Sequence, residues 1–373
     1  MNPLRWLTSL LRKQQPPKTE AFYGLDHAVL NLPFPPPSMW MNLGYWKDTT
    51  DFPTACAALL DQVLITAGLV DEDGAPLPHP ASKTFRMLDV GIGCGDQSLR
   101  ILGYKRAGTG SQDGKRKGEE ALRPLFEDYV GLTSLPVQAE FAAKRVAKAQ
   151  EQDEQLGLEE KSRLQTKTKA RVFCADAAKP ASWSQEIHTS LKAYTRPSTT
   201  SSEETTVAAE EKQSLEPERG SQSAGRQPET FLLALDTLYH FSPSRTPLLT
   251  YTKRTLNATL LTFDLVLPST PLPILTRLLL RLLCLLTRAP YSNFLTESEY
   301  ISLLVEAGYD KDKIEVRDIS EHVFPGIARF MKRRVQEAKM FGIGGAGKYK
   351  GASVVFDWWA GGVLRGVIVT ARV

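Results

Sequence analysis

The segment Leu88-Asp89-Val90-Gly91-Ile92-Gly93-Cys94-Gly95-Asp96 sets an acid immediately before a Gly-x-Gly-x-Gly turn. Apolar residues from Phe85 onward predict a strand leading into the turn, and 96–103 predicts a helix leaving it. Glycine admits backbone angles closed to other residues and lets a ligand approach the main chain. An acid at the strand end is a ready partner for an ammonium group. Such a turn also serves nicotinamide and flavin domains, although their spacing is Gly-x-Gly-x-x-Gly. A second group of candidates follows the apolar run Phe231–Leu235, where His240 has an ordinary pKa suited to proton removal near neutrality and Tyr239 is the adjacent alternative. A histidine there also fits a strand-end residue bonded to backbone, and His322, in a later loop, has the same two readings. Tyr45 and Trp46 offer aromatic faces that attract a cation, or apolar surface for a packed cap.

These residues need a scaffold, and the apolar pattern supplies one. Strands are predicted over 85–90, 125–132, 171–175, 231–235, 260–267, 314–319 and 363–370. Helical periodicity falls over 52–68, 96–103, 136–150, 246–256, 296–307 and 326–338. The alternation predicts an α/β fold with a doubly wound, mostly parallel sheet, and binding belongs at the carboxyl ends of its strands. Thr296-Glu-Ser-Glu299 reads as a capping box for a helix that Gly308 ends. Trp358 and Trp359 are expected in the core or at a hairpin edge before the last strand.

The 373 residues divide into an extension over 1–19, a cap segment over 20–80 and a core over 81–373. Three insertions interrupt the core: a Gly- and Lys-rich stretch at 104–122, a charged tract at 150–169 and a polar stretch at 196–229. The last lacks the apolar residues needed to offset its ordering entropy and is expected to be disordered. A net charge of +4 is too small for a dedicated nucleic-acid binder. The four cysteines, Cys56, Cys94, Cys174 and Cys284, are far apart, which predicts a reducing compartment and no metal centre. Cytoplasm is the default compartment, with membrane association or mitochondrial import as alternatives. The last follows from 1–18, which is free of acid and places Leu4, Leu7 and Leu11 on one helical face.

The glycine turn resembles the first motif of class I S-adenosylmethionine-dependent methyltransferases. Met41-Asn-Leu-Gly-Tyr-Trp46, Gly131-Leu-Thr133-Ser-Leu-Pro-Val-Gln138, Arg171-Val-Phe-Cys-Ala-Asp176-Ala177 and Asp236-Thr-Leu-Tyr239-His240-Phe241 follow in order. They resemble motifs of the type 11 branch, which contains cyclopropane synthases and tocopherol, sterol and sarcosine methyltransferases. The resemblance implies a Rossmann-like seven-stranded sheet with an antiparallel last strand, a helical N-terminal cap and a lid. It implies S-adenosylmethionine as cofactor, with Asp89, Gly91, Gly93 and Gly95 at the methionine half. Thr133 stands where many relatives place an acid on the ribose, and Gln138 assists it. Asp176 would accept from the adenine amino group beside the Ala177 amide, and it also fits a helix N-cap. Tyr45 and Trp46 would contact the cofactor, and His240 or Tyr239 would serve as base.

The implied reaction is in-line methyl transfer, for which the protein aligns the nucleophile and excludes water. The acceptor is expected to be a small, hydrophobic, lipid-like molecule because of 271–288, where Arg277, Arg281 and Arg288 occupy a stripe of roughly 40° on an otherwise apolar helix. Within 268–294 that helix packs as a lid, rests on a membrane, or both; 1–13 is a second candidate for peripheral contact. Three other readings stand beside this one: a nucleic-acid methyltransferase gripping phosphates with its basic insertions, a non-catalytic cofactor-binding scaffold, and a nicotinamide enzyme. The last would need an acid near Thr133.

Overall fold

Strand β1 (Phe85–Val90) is buried along its whole length, as a strand covered on both faces must be. It pairs in parallel with β2 (Asp128–Thr133) on one side and β4 (Glu229–Leu235) on the other. Beyond these lie β3 (Lys169–Cys174) and β5 (Thr259–Val266), also parallel. The last strand, β7 (Arg365–Ala371), inserts antiparallel between β5 and β6 (Ile314–Asp318). The seven-stranded order is therefore β3-β2-β1-β4-β5-β7-β6. The winding reverses between β1 and β4, which opens a crevice at their carboxyl ends. This computed structural model describes residues 33, 35–80, 82–109, 122–159, 167–192, 228–344 and 347–373.

Alternation along the strands feeds a core on each face. Phe85 and Met87 join Leu233, Phe263 and Ile368 beneath α1 (Phe52–Ala67) and α8 (Ser320–Met340). Leu88 and Val90 join Leu232, Leu260 and Val369 beneath α4 (Gln185–Lys192), α5 (Thr246–Arg254) and α7 (Glu297–Ala307). The expected capping box on α7 is present: Thr296 Oγ1 accepts from the Glu299 amide, the Glu299 carboxylate accepts from the Thr296 amide, and Gly308 closes the helix with φ 112°.

Helix α2 (Asp96–Gly103) has its expected bounds, and α3 (Pro136–Glu159) runs on past 150, extended by the charged tract as its sequence leads one to expect. Helix α8 begins before the expected 326. Pro325 suggests a start there, but Asp318 Oδ1 already accepts from the Ser320 amide at 2.9 Å and begins the helix a turn and a half earlier. The ends of the 104–122 insertion form a small sheet, Lys105–Thr109 against Leu122–Pro124 and His79–Pro80. Helix α9 (Gly347–Trp358) replaces the expected hairpin edge, and Trp359 packs edge-on to Phe324 and Phe356 in the turn that follows. The 1–19 extension, most of 104–122 and almost all of 196–229 lie outside the described residues.

Candidate active site

The carboxyl ends of β1 to β4 converge on a cavity of about 740 Å³. Its floor is the glycine turn. Gly91, Gly93 and Gly95 have φ of 78°, 55° and 89°, values L side chains adopt only under strain. Close packing adds to the requirement at the outer two: a Cβ on Gly91 would lie 2.6 Å from Thr237 Oγ1, and one on Gly95 3.0 Å from Ala142 Cβ. At Gly93 the nearest atom would be Met41 Sδ, 3.8 Å away, so this backbone faces open space in the cavity wall.

Asp89 is fully buried beneath the turn and does not line the cavity. Its Oδ1 accepts from Gln97 Nε2 and its Oδ2 from the Tyr129 hydroxyl, both at 2.6 Å. Burial pushes this carboxyl up to about 7, against the hydrogen bonds from Tyr129 and Gln97 that favour the ionised form. Gln97, its hydrogen-bond partner, lines the cavity.

At the end of β2, Thr133 Oγ1 donates to Gln138 Oε1 at 3.1 Å, and both residues line the cavity. At the end of β3, Asp176 Oδ1 accepts from the Ala178 amide at 3.0 Å, and its Oδ2 pairs with Lys179 at 2.9 Å. Asp176 therefore braces a turn, caps no helix, and stays, with Ala177, on the cavity wall.

The fourth wall follows β4. Asp236 holds a left-handed φ of 58°, unusual outside glycine and most tolerated by Asp and Asn. Its Oδ1 accepts from the Tyr239 hydroxyl and its Oδ2 from the Leu43 amide, each at 2.9 Å. Burial pushes the Asp236 carboxyl up to about 7. Burial and the Asp236 charge together hold the Tyr239 phenol well above its ordinary pKa. Its proton is committed to Asp236, so Tyr239 is poorly suited to act as base.

His240 lines the cavity and is exposed, with its ring 4.2 Å from that of Tyr239. The protein around it desolvates the imidazole and lowers its pKa, leaving it neutral near pH 7. Neither ring nitrogen has a hydrogen-bond partner among the described residues. The loop is braced from behind by Asn293, whose Nδ2 donates to the Tyr239 and Phe241 carbonyls.

A strap over 39–43 crosses the cavity and is pinned at both ends. The Met39 amide donates to Asp96 Oδ1 at 3.1 Å, and Leu43 is held by Asp236. Arg145 grips both Asp96 oxygens and the Cys94 carbonyl, tying strap, turn and α3 together. The rings of Tyr45 and Trp46, expected at the cofactor, do not line the cavity. Trp46 is buried against Phe52 and Phe330, over Gly326, and Tyr45 meets His322 edge-on at 5.0 Å. The two rings pack as the cap, and the backbone just before them reaches the cavity. Asp236, Asp96 and Gln97 also line the cavity and are candidate site residues that the sequence left unassigned. A lone Asp closing a strand ahead of a Tyr-His pair was the available signal for the first.

This strand order, with β7 reversed and the cavity at the β1/β4 switch, is a Rossmann-like fold. Among solved structures, the mycolic acid cyclopropane synthase CmaA1 complexed with SAH and CTAB superposes with a TM-score of 0.50 at 12% identity, over 90% of this chain and 91% of that one. The cyclopropane synthase MmaA2 from Mycobacterium tuberculosis gives 0.49 at 12% identity, over 90% of each chain. No protein-family profile matches the chain, and no curated protein matches it in sequence.

Proposed function

We propose that the cavity binds S-adenosylmethionine and that the protein transfers its methyl group to a small hydrophobic acceptor. One observation carries this reading: a glycine turn, a Thr133–Gln138 pair and Asp176 reach one cavity from three adjacent strands, and on the fourth wall stands an imidazole with no hydrogen-bond partner among the described residues. The residues present suit the cofactor. The open face of Gly93 and the side chain of Gln97 would hold its amino-acid end, Thr133 and Gln138 its ribose, and Asp176 and Ala177 its adenine. When bound, the cofactor supplies an electrophilic methyl carbon on a good leaving group.

The chain's own residues then orient and shield. The pinned strap limits water at the cavity, which strengthens polar interactions within it. His240, its pKa lowered by desolvation, takes the proton from a hydroxyl or phenol as its oxygen attacks, or from an ammonium to free the amine before its nitrogen attacks. Asp236 holds Tyr239 and the strap, and so fixes the loop that carries His240. No residue of 268–294 lines the cavity, and it is Trp40, Met41, Leu43 and Phe241 on its wall that favour an apolar acceptor.

The test is to incubate the protein with S-adenosylmethionine and panels of phenols, sterols and unsaturated acyl lipids, and to measure S-adenosylhomocysteine by mass spectrometry. Release that depends on an acceptor, and that falls roughly 10²–10⁴-fold in His240→Ala, is the expected result. Cofactor binding without release on any panel would instead favour a binding scaffold.

A further inference from the structure

Helix α6 (Ile274–Thr287) turns most of its leucines away from the protein. Only Leu280 and Cys284 are fully buried, and they join the core cluster that contains Tyr239 and Phe294. Ile274, Leu275, Leu278, Leu282, Leu285 and Leu286 are exposed, from 41% at Leu282 to 76% at Ile274 and Leu285. At 100° per residue these six span an arc of roughly 120°, on the side opposite the two buried residues. Arg277 and Arg281 lie along one edge of this arc, and Arg288 follows at the helix end. Between Asp264 and Glu297 the chain has no acidic residue.

We infer that this face docks on the surface of an anionic lipid bilayer. An outward apolar face bordered by arginines, with no acid in the surrounding stretch, complements a layer of phosphate groups over hydrocarbon. The 14 residues of α6 extend about 21 Å, too short for a hydrocarbon core of roughly 30 Å. No described helix is long and apolar enough to cross a membrane. Helix α6 therefore lies in the interface rather than spanning it. The docked face is coupled to the cavity by short links. The Arg281 guanidinium sits 4.9 Å over the Tyr291 ring, and Asn293, two residues on, holds the backbone of the His240 loop. Docking would present the acceptor side of the cavity to lipid. The docking does not depend on methyl transfer and is read without cofactor.

The test is co-sedimentation of the full chain with vesicles of phosphatidylcholine alone and of phosphatidylcholine with phosphatidylserine. Binding to the anionic vesicles that weakens with added salt is expected. Leu278→Glu/Leu285→Glu should abolish it, and Arg277→Gln/Arg281→Gln should weaken it by roughly fivefold per arginine removed. Both double variants replace exposed side chains, and unchanged melting curves verify their folding. Wild-type protein that stays in the supernatant would overturn the proposal, as would a folded Leu278→Glu/Leu285→Glu variant that binds as wild type does. Light scattering adds a third overturning outcome: a wild-type dimer that the leucine variant dissociates would mean a second copy covers this face.

Discussion

The cavity wall built from β1, β2 and β3 is made of polar groups that satisfy one another, whereas the wall beyond β4 leaves both polar and apolar groups open. On the first side Asp89, Gln97 and Tyr129 bond to each other below the turn, and Thr133, Gln138 and Asp176 each have a protein partner. On the second side the His240 ring has no described partner, and past the cavity lining α6 exposes six large apolar side chains to the outside. A preorganised wall suits one fixed ligand, and an open wall suits an acceptor that differs from protein to protein. In the proposed function these are the cofactor and acceptor sides.

Substitutions of groups that bond to one another should therefore act on the fold, those on the first side on the cofactor as well, and substitution of the open His240 on turnover alone. The largest effect is expected for Gly91→Ala. Its left-handed backbone costs roughly 1–2 kcal/mol and the clash with Thr237 roughly 1–3 kcal/mol, so thermal melts should show a loss of about 2–5 kcal/mol. S-adenosylhomocysteine binding should disappear with it.

Next comes Asp236→Ala, which leaves the Tyr239 hydroxyl and the Leu43 amide without their acceptor. A loss of about 1–3 kcal/mol is expected for each group that stays buried. Hydrogen exchange over 39–43 should quicken. Unchanged exchange there would show that the strap is not pinned by Asp236.

A smaller effect concerns pH. Asp89 and Asp236 titrate near 7 in the folded protein but near 3.8 when unfolded. Between those values the folded state holds protons the unfolded chain has released, so their contribution to stability falls as pH rises through that window. His240, lowered on folding, works the other way: its contribution falls as pH drops through its unfolded value of about 6.5. Relative to Asp89→Asn/Asp236→Asn, the wild type should therefore lose melting temperature as pH is raised from about 5 to about 8. Parallel curves would contradict the raised pKa values. The smallest effect is expected for His240→Ala, which should leave S-adenosylhomocysteine affinity within about twofold, since an exposed side chain with no described partner contributes little to the fold. A loss as large as that of Gly91→Ala would erase the difference between the two walls.

The same contrast explains what the sequence revealed. The buried strands and the glycine turn were legible because full burial and positive φ demand particular residue types, leaving few alternatives at Phe85–Val90 or Gly91. Thr133 and Gln138 were paired correctly because a strand end and the following helix start are neighbours in any such unit. The burial of Asp89 behind Gln97 was not legible, because spacing does not tell which side chains intervene. The packing of Tyr45 and Trp46 was open for a related reason: a large ring suits a cation and a core equally, and the missing Cβ of Gly326 makes the room that Trp46 fills. Helix α9 was missed because Gly347, Lys348, Gly351 and a mixed apolar pattern give no amphipathic stripe.

Calorimetric titration of the full chain with S-adenosylhomocysteine, beside NAD and the Gly91→Ala variant, tests the central claim most directly. One site of micromolar affinity for S-adenosylhomocysteine, with no heat from NAD and none from the variant, is the predicted result. Binding of NAD in its place, or of neither ligand by the wild type, would contradict the assignment of this cavity.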